Sequence, residues 1–403
     1  MLRRQGTACQ LHKIGAKLVL ITVDQLLGLI HLLIAALTVL QTQMHGAQQI
    51  ITRLLRDGIG NKRAVLNSKR RVLQEALLQT VHLQLGRVSP VFIRDQEADK
   101  SLHKADEGNE NDDRGQATYF TATDGNHGRG VAWAAQKLGQ KAVVHMPKGT
   151  TQTRLENIKK LGADVNILDL NYDDCVRQAA KEAAATPHGV MVQDTAWDGY
   201  EEIPSWIMQG YGTMAMEAGE QLKAWGVERP THIFVQAGVG SLAGAVVGYF
   251  ANLYKDNPPK FIVVEASAAA CLYKGAAAGD GKPRMVGGDL DTIMAGLACG
   301  EPNTISWDIL KNHVTTFIAA DDPITVRGMR MLAAPLKGDA PIVSGESGAV
   351  PFGTLATIML SDECKDLRAE LGLDDHSQVL VFSTEGDTDP ERYKNIVWRG
   401  LNK

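Results

Sequence analysis

Cysteine is sparse in this sequence and never clustered. Cys9, Cys175, Cys271, Cys299 and Cys364 lie far apart, with no CxxC pair and no Cys/His spacing of a metal site. That excludes a disulfide framework and a structural zinc and fits a reducing cytoplasm. An excess of one charge sign is also lacking: the net charge is −4, with lysines and arginines scattered. Such a surface offers no basic stripe to nucleic acid and no polybasic patch to anionic lipid. No apolar run reaches the ~20 residues of a membrane span. The longest candidate, Leu26 to Leu40, carries His31 in its middle and reads as a buried helix. Asp24 interrupts the apolar stretch and no small-residue cleavage site follows it, so we expect a cytoplasmic chain without a membrane partner.

Aromatic residues and proline are nearly absent from the first 118 residues, which hold only Phe92 and Pro90, against 21 aromatics and 13 prolines in the remaining 285. Before the break, Lys62 to Leu85 places apolar residues at a spacing compatible with an amphipathic helix. Asp95 to Gly115 is charged and poor in apolar residues, as in a solvated linker. With 403 residues and 44% hydrophobic content, the chain is long enough for more than one packed unit.

After residue 118, strand-like and helical segments alternate, which predicts a parallel sheet with crossover helices. Strands are expected at 141–146, 164–168, 190–194, 231–236, 260–265 and 378–383, and helices at 151–161 and 172–185. The β-branched, nearly continuous apolar strands imply sheets covered on both faces. Ligands of such sheets sit at the carboxyl ends of the strands, where the glycine-rich segments fall.

Four segments carry chemistry. TATDGNHGRG, Thr121 to Gly130, opens a helix whose start offers free backbone N–H groups to an anion; read alone, it is equally a helix capped by Asp124 or Asn126. QAGVGSLAG, Gln236 to Gly244, follows a strand with two glycines that let successive N–H groups converge into a phosphate cradle. No Walker lysine follows, which disfavours a nucleoside triphosphate; a dinucleotide stays open because Glu265 lies nearby, although the GxGxxG register is missing. VSGESGAV and VFSTEGDTD set hydroxyls beside carboxylates, and such hydroxyls can bond a heteroaromatic nitrogen without charging it; ordinary capped turns have the same composition. In the fourth, Met191 to Thr213, Asp194 ends a strand beside Trp197, Tyr200 and Trp206, either as a proton acceptor or as a hydrogen-bonded structural acid.

Together the segments TATDGNHGRGVAWAAQKLGQKAVVHMPKG, QDTAWDGYEEIPSWIMQGYGT, QAGVGSLAGAVVGY, GGDLDTIMAGLACGEPN, SGESGAV and STEGDTD resemble, in wording and order, the fold type II (tryptophan-synthase-β-like) pyridoxal-phosphate enzymes, and specifically the diaminopropionate ammonia-lyase family. The resemblance covers about residues 118–398. Serine and threonine dehydratases share the general SxGNH-like loop and the glycine cradle, but the acid in TDGNHG and the long GLACGEPN segment are similar to the diaminopropionate branch.

The resemblance implies an α/β fold of two three-layer αβα domains with mostly parallel sheets, the small one at 118–188 and the large, cofactor-binding one at 189–403, with 1–117 unassigned and atypical. It implies pyridoxal 5'-phosphate as cofactor, with Gly238, Val239, Gly240, Ser241 and Leu242 around the phosphate. Asn126 would bond the phenolic oxygen, and Thr384, or failing it Ser383, would face the pyridine nitrogen. The backbone around Thr121, Thr123, Gly125 and His127 would hold the carboxylate of an amino-acid substrate. Asp124 and Asp194 would be catalytic, on opposite faces of the α-carbon, in a carbon–nitrogen lyase that converts 2,3-diaminopropionate to pyruvate and ammonia. A homodimer is implied as well.

The family holds its cofactor on a lysine in an AFKxLGG-like helix start, and nothing here matches it. Lys62, Lys69, Lys100 and Lys104 sit in other settings, so no Schiff-base lysine is assigned. The first 117 residues resemble nothing in the family, as though an unrelated reading frame preceded the break. An inactive ligand-binding homologue is therefore the alternative, with a serine/threonine dehydratase-like lyase as a third reading.

Overall fold

The computed structural model describes residues 116–337 and 339–401 and, ahead of them, the backbone of two strands, β1 (Ala8–Gln10) and β2 (Lys17–Thr22). The expected helices within 26–40 and 62–85 and the linker at 95–115 lie outside the described residues.

From residue 118 the order is β3 (Thr118–Ala122), α1 (Asn126–Lys137), β4 (Lys141–Met146), α2 (Gln152–Lys159), β5 (Asp164–Ile167), α3 (Tyr172–Ala185), β6 (Gly189–Met191), α4 (Glu202–Ala224), β7 (His232–Gln236), α5 (Ser241–Leu253), β8 (Lys260–Ala266), α6 (Cys271–Ala278), α7 (Thr304–His313), β9 (Thr316–Ala320), α8 (Asp322–Ala333), α9 (Glu346–Leu360), α10 (Lys365–Leu371), β10 (Gln378–Ser383) and α11 (Pro390–Val397). A four-stranded sheet has the order β5-β4-β3-β6 and is parallel throughout. A six-stranded sheet runs β1-β2-β10-β7-β8-β9, parallel except for the β1–β2 edge pair.

The apolar runs of β7, β8 and β10 are continuous because these central strands of the large sheet are buried on both sides. Along β7 and β8, Phe234, Ile262 and Val264 pack with α8 and α9 residues such as Met329 and Phe352. The alternate residues Ile233, Val235, Phe261 and Val263 pack on the opposite face with Leu222, Val247 and Phe250. Each such side chain contributes on the order of 1.5–3 kcal/mol. The small sheet repeats the plan: Tyr119 and Val144 face α1 and α2 through Val131 and Ile158, while Phe120 faces α3 through Ala179 and Ala183.

Several details depart from the sequence reading. β3 was not among the expected strands, although it is buried and pairs with both β4 and β6. β6 pairs with β3, so the small sheet extends past the expected boundary at 188 to Met191. β9 was not expected; it pairs with β8 at the sheet edge and keeps Thr316, Phe317 and Ile318 only partly buried.

Candidate active site

The carboxyl ends of β3, β6, β7 and β10 open onto one cavity of about 230 Å³. Its wall includes Asp124, Asn126 and His127 after β3, Asp194 after β6, Gln236 to Leu242 at the end of β7, and Thr384 after β10. Parallel sheets leave their ligand crevice at this end. The fourfold convergence makes an accidental set of capped turns an inadequate account of these segments.

At the β7–α5 turn, Gly240 has φ +101° and begins α5 with no side chain capping the helix. A Cβ on Gly240 would stand 2.8 Å from Ser306 Oγ, and one on Gly238 would stand 3.0 Å from the Gly296 carbonyl oxygen. Position 240 requires glycine and position 238 leaves a side chain little room, and the bare helix start that results suits an anion. α1 likewise starts at Gly125 without a side-chain cap, so neither Asp124 nor Asn126 is spent as a capping group.

At the β10 end, the Thr384 hydroxyl accepts a hydrogen bond from Gln236 Nε2 at 2.8 Å. Its own O–H is left to donate, as a neutral partner of a ring nitrogen must. Ser383 is turned away: it is buried, and its hydroxyl donates to Ser344 Oγ at 2.8 Å.

Asp194 is held from several sides. Its carboxylate accepts from Gln193 Nε2 at 3.1 Å, and its carbonyl accepts from Ser241 Oγ at 2.6 Å and Asn303 Nδ2 at 3.0 Å. The strand end bearing it is thereby tied to the start of α5. Gln193 is itself fixed, accepting from Thr121 Oγ1 and the Ala122 N–H and donating to Tyr172. The ring beside Asp194 in the cavity wall is Tyr211 of α4; Trp197 and Tyr200 stack on each other at 4.3 Å outside it.

Asp124 lies against a buried arginine. Arg154 Nη1 donates to Asp124 Oδ2 at 3.2 Å, and Arg154 Nη2 stands 3.7 Å from Glu346 Oε2. Burial raises the Asp124 carboxyl above its usual range, Arg154 pulls it back, and Glu385 and Asp194 raise it again. Burial also pushes Glu346 up to about 7, with Glu385 adding to the rise.

Asp124, Asn126, His127, Asp194, Gly238, Val239, Gly240, Ser241, Leu242 and Thr384 thus line one cavity. Thr121, Thr123, Gly125 and Ser383 are not in its wall. Thr121 is a strand residue whose hydroxyl is committed to Gln193, and Thr123 Oγ1 accepts the Gly125 N–H at 2.9 Å, shaping the turn from behind. Sequence reasoning missed Arg154, Gln236, Tyr211 and Ser347. Gln236 and Tyr211 stood inside quoted segments; Arg154 sits in a polar helix with nothing to mark it.

A cavity between two parallel-sheet units, lined by a glycine turn at an uncapped helix start and by the Thr384 hydroxyl, is the arrangement of a pyridoxal-phosphate enzyme of fold type II. The family model for "Pyridoxal-phosphate dependent enzyme" matches residues 93–376, and the chain belongs to that family. The match starts ahead of the compositional break near 118. Within the family, the chain is 56% identical over 283 residues to diaminopropionate ammonia-lyase of Salmonella typhimurium, covering 70% of each, and 51% identical over 284 residues to the enzyme of that name from Escherichia coli K12, again covering 70% of each. The crystal structure of the Escherichia coli diaminopropionate ammonia-lyase in complex with an aminoacrylate-PLP azomethine reaction intermediate superposes with a TM-score of 0.66 at 49% identity, over 71% of this chain and 72% of that one.

Proposed function

We propose that the chain is a pyridoxal-phosphate-dependent carbon–nitrogen lyase that converts 2,3-diaminopropionate and water to pyruvate and two molecules of ammonia. The observation that carries this reading is the pair Asp124 and Asp194, two carboxylates from loops of different strands in the wall of the cavity that holds the glycine cradle. The cavity lining suits the cofactor: Gly238 to Leu242 would hold its phosphate, Thr384 would donate to its ring nitrogen and Asn126 would bond its phenolic oxygen. When bound, the cofactor supplies the electron sink that makes the substrate α-proton acidic. Asp124 and Asp194 each accept that proton from one face, so each serves one enantiomer. The N–H groups of Asn126 and His127, at the uncapped start of α1 in the cavity wall, bind the substrate carboxylate.

Among the described residues no lysine lines the cavity. That observation favours a second reading, a homologue that binds the phosphate ligand without turnover. Purified protein supplied with pyridoxal phosphate, reduced with borohydride and digested, decides between them. The lyase gives one pyridoxyl-lysine peptide by mass spectrometry and forms pyruvate from diaminopropionate faster than from serine or threonine. Absence of both adduct and pyruvate from protein that still binds pyridoxal phosphate in equilibrium dialysis establishes the second reading. Asp124→Asn and Asp194→Asn should each abolish turnover of one enantiomer, about a hundredfold or more, the usual weight of a general base.

The reading includes a cytoplasmic homodimer. Cys175, Cys271, Cys299 and Cys364 are free, and among the described residues no helix is long and apolar enough to cross a membrane. Sedimentation equilibrium tests the dimer.

A further inference from the structure

We infer that Arg154 is a positioning residue, whose guanidinium keeps the Asp124 carboxylate ionised and turned to the cavity, and for which Glu346 competes. Arg154 projects from α2, in the unit built on the small sheet, and is 6% exposed. Its Nη1 reaches Asp124 Oδ2 at 3.2 Å and the Asp124 carbonyl at 3.5 Å. Its Nη2 points the other way, to Glu346 at the start of α9, which packs on the large sheet. The guanidinium therefore joins the two units directly behind one of the two acids of the cavity.

The two sides of this bridge are unequal. The Asp124 contact is a hydrogen bond, whereas the Glu346 contact is an ion pair at 3.7 Å in which Arg154 Nη2 makes no hydrogen bond. Glu346 has a second cation, Arg392 Nε, at 3.2 Å from its Oε1. Glu385, whose Oε1 accepts the Ser347 N–H, and Asp389 complete the charges facing Arg154, and Asp194, in the same cavity wall, adds its negative charge to the field at Asp124. One buried arginine is thus shared by acids that cannot all be satisfied together. A proton on Glu346, or a shift of α9 away from α2, commits Arg154 to Asp124; the opposite change draws it off. A simple domain staple would have no reason to end on a carboxylate of the cavity wall.

The role of Arg154 in turnover rests on the lyase reading, but its hold on Asp124 does not, and the experiment separates them. Protein labelled with ¹³C at the aspartate carboxyl is titrated by infrared spectroscopy in the parent, Arg154→Met, Arg154→Lys and Glu346→Gln backgrounds. The Asp124 band is assigned in each by its loss on adding Asp124→Asn. Expected are a midpoint raised by about one pH unit or more in Arg154→Met, most of that rise undone in Arg154→Lys, and a midpoint lowered in Glu346→Gln. An Asp124 midpoint that is the same in Arg154→Met and the parent overturns the inference, whether or not the protein turns over substrate. If Arg154→Met does not fold, the Glu346→Gln shift decides: an unchanged or raised midpoint overturns it. With active protein, Arg154→Met should lower kcat about tenfold for the enantiomer that Asp124→Asn abolishes and leave the other within about twofold. Equal losses for both enantiomers would mark Arg154 as structural only.

Discussion

Gly240 and Gly248 lie two turns apart in one segment, yet the same methyl group means opposite things at each. Gly240 has φ +101°, and a Cβ there meets Ser306 Oγ at 2.8 Å; Gly248 has ordinary helical geometry, and its Cβ would find Ile309 Cγ2 at 3.6 Å. Gly240→Ala is expected to cost about 1–3 kcal/mol of backbone strain and to pull the α5 start out of the shape proposed to cradle phosphate. Gly248→Ala is expected to be neutral or to stabilise by about 0.4–1 kcal/mol. Urea denaturation reads the stabilities, and fluorescence titration with pyridoxal phosphate reads the cradle. Equal cofactor affinity for Gly240→Ala and the parent would remove the cradle from the account of the site.

The joint between α7 and the site depends on one buried side chain. Asn303 caps α7 by accepting from the N–H groups of Ile305 and Ser306, and its amide nitrogen donates to the Asp194 carbonyl and to Ser241 Oγ. Asn303→Ala should lose about 1 kcal/mol from the cap and about 1–3 kcal/mol more from the polar groups left buried without this partner. Asn303→Asp keeps the cap but sets a buried carboxylate oxygen against the Asp194 carbonyl, so it should be no more stable than the alanine form plus the cap. An alanine variant as stable as the parent would show that neither the cap nor the amide donor contributes.

Much of this element-level arrangement was legible in the sequence. Tyr172–Ala185 and Gln378–Ser383 form the expected helix and strand, because a strand buried on both faces writes a continuous apolar run. The glycine turns were readable because the backbone there tolerates nothing else. β9 was not, since a half-buried edge strand carries a weaker pattern. Nor was Arg154, which meets Asp124 thirty residues away and Glu346 from the other sheet, in a helix, QTRLENIK, of unremarkable polar composition. Sequence patterns report which face a residue turns inward; they do not report which charge it meets across two packed units.

At the scale of the whole molecule, the buried carboxylates set how stability responds to pH. Burial pushes Glu265 up to about 8, Glu346 to about 7 and Asp173 to about 6, from ordinary values of 4.5, 4.5 and 3.8. Each folded-state value lies above its unfolded one, so the native state holds protons that the unfolded chain has released. The stabilisation is complete below about pH 4 and is lost as pH rises through 6, 7 and 8 in turn. Glu265 is the highest of the three despite accepting the Leu272 and Tyr273 N–H groups at the start of α6, because it is fully buried. The denaturation midpoint should therefore fall between pH 6 and pH 8. Glu265→Gln is expected to lower stability at every pH, since its amide NH₂ faces a backbone donor, but to flatten the slope over that interval. The slope is the informative quantity, as it counts protons rather than contacts: a parent protein equally stable at pH 6 and pH 8, or a Glu265→Gln variant with the parental slope, would mean that Glu265 is already charged in the folded core and held by its backbone donors.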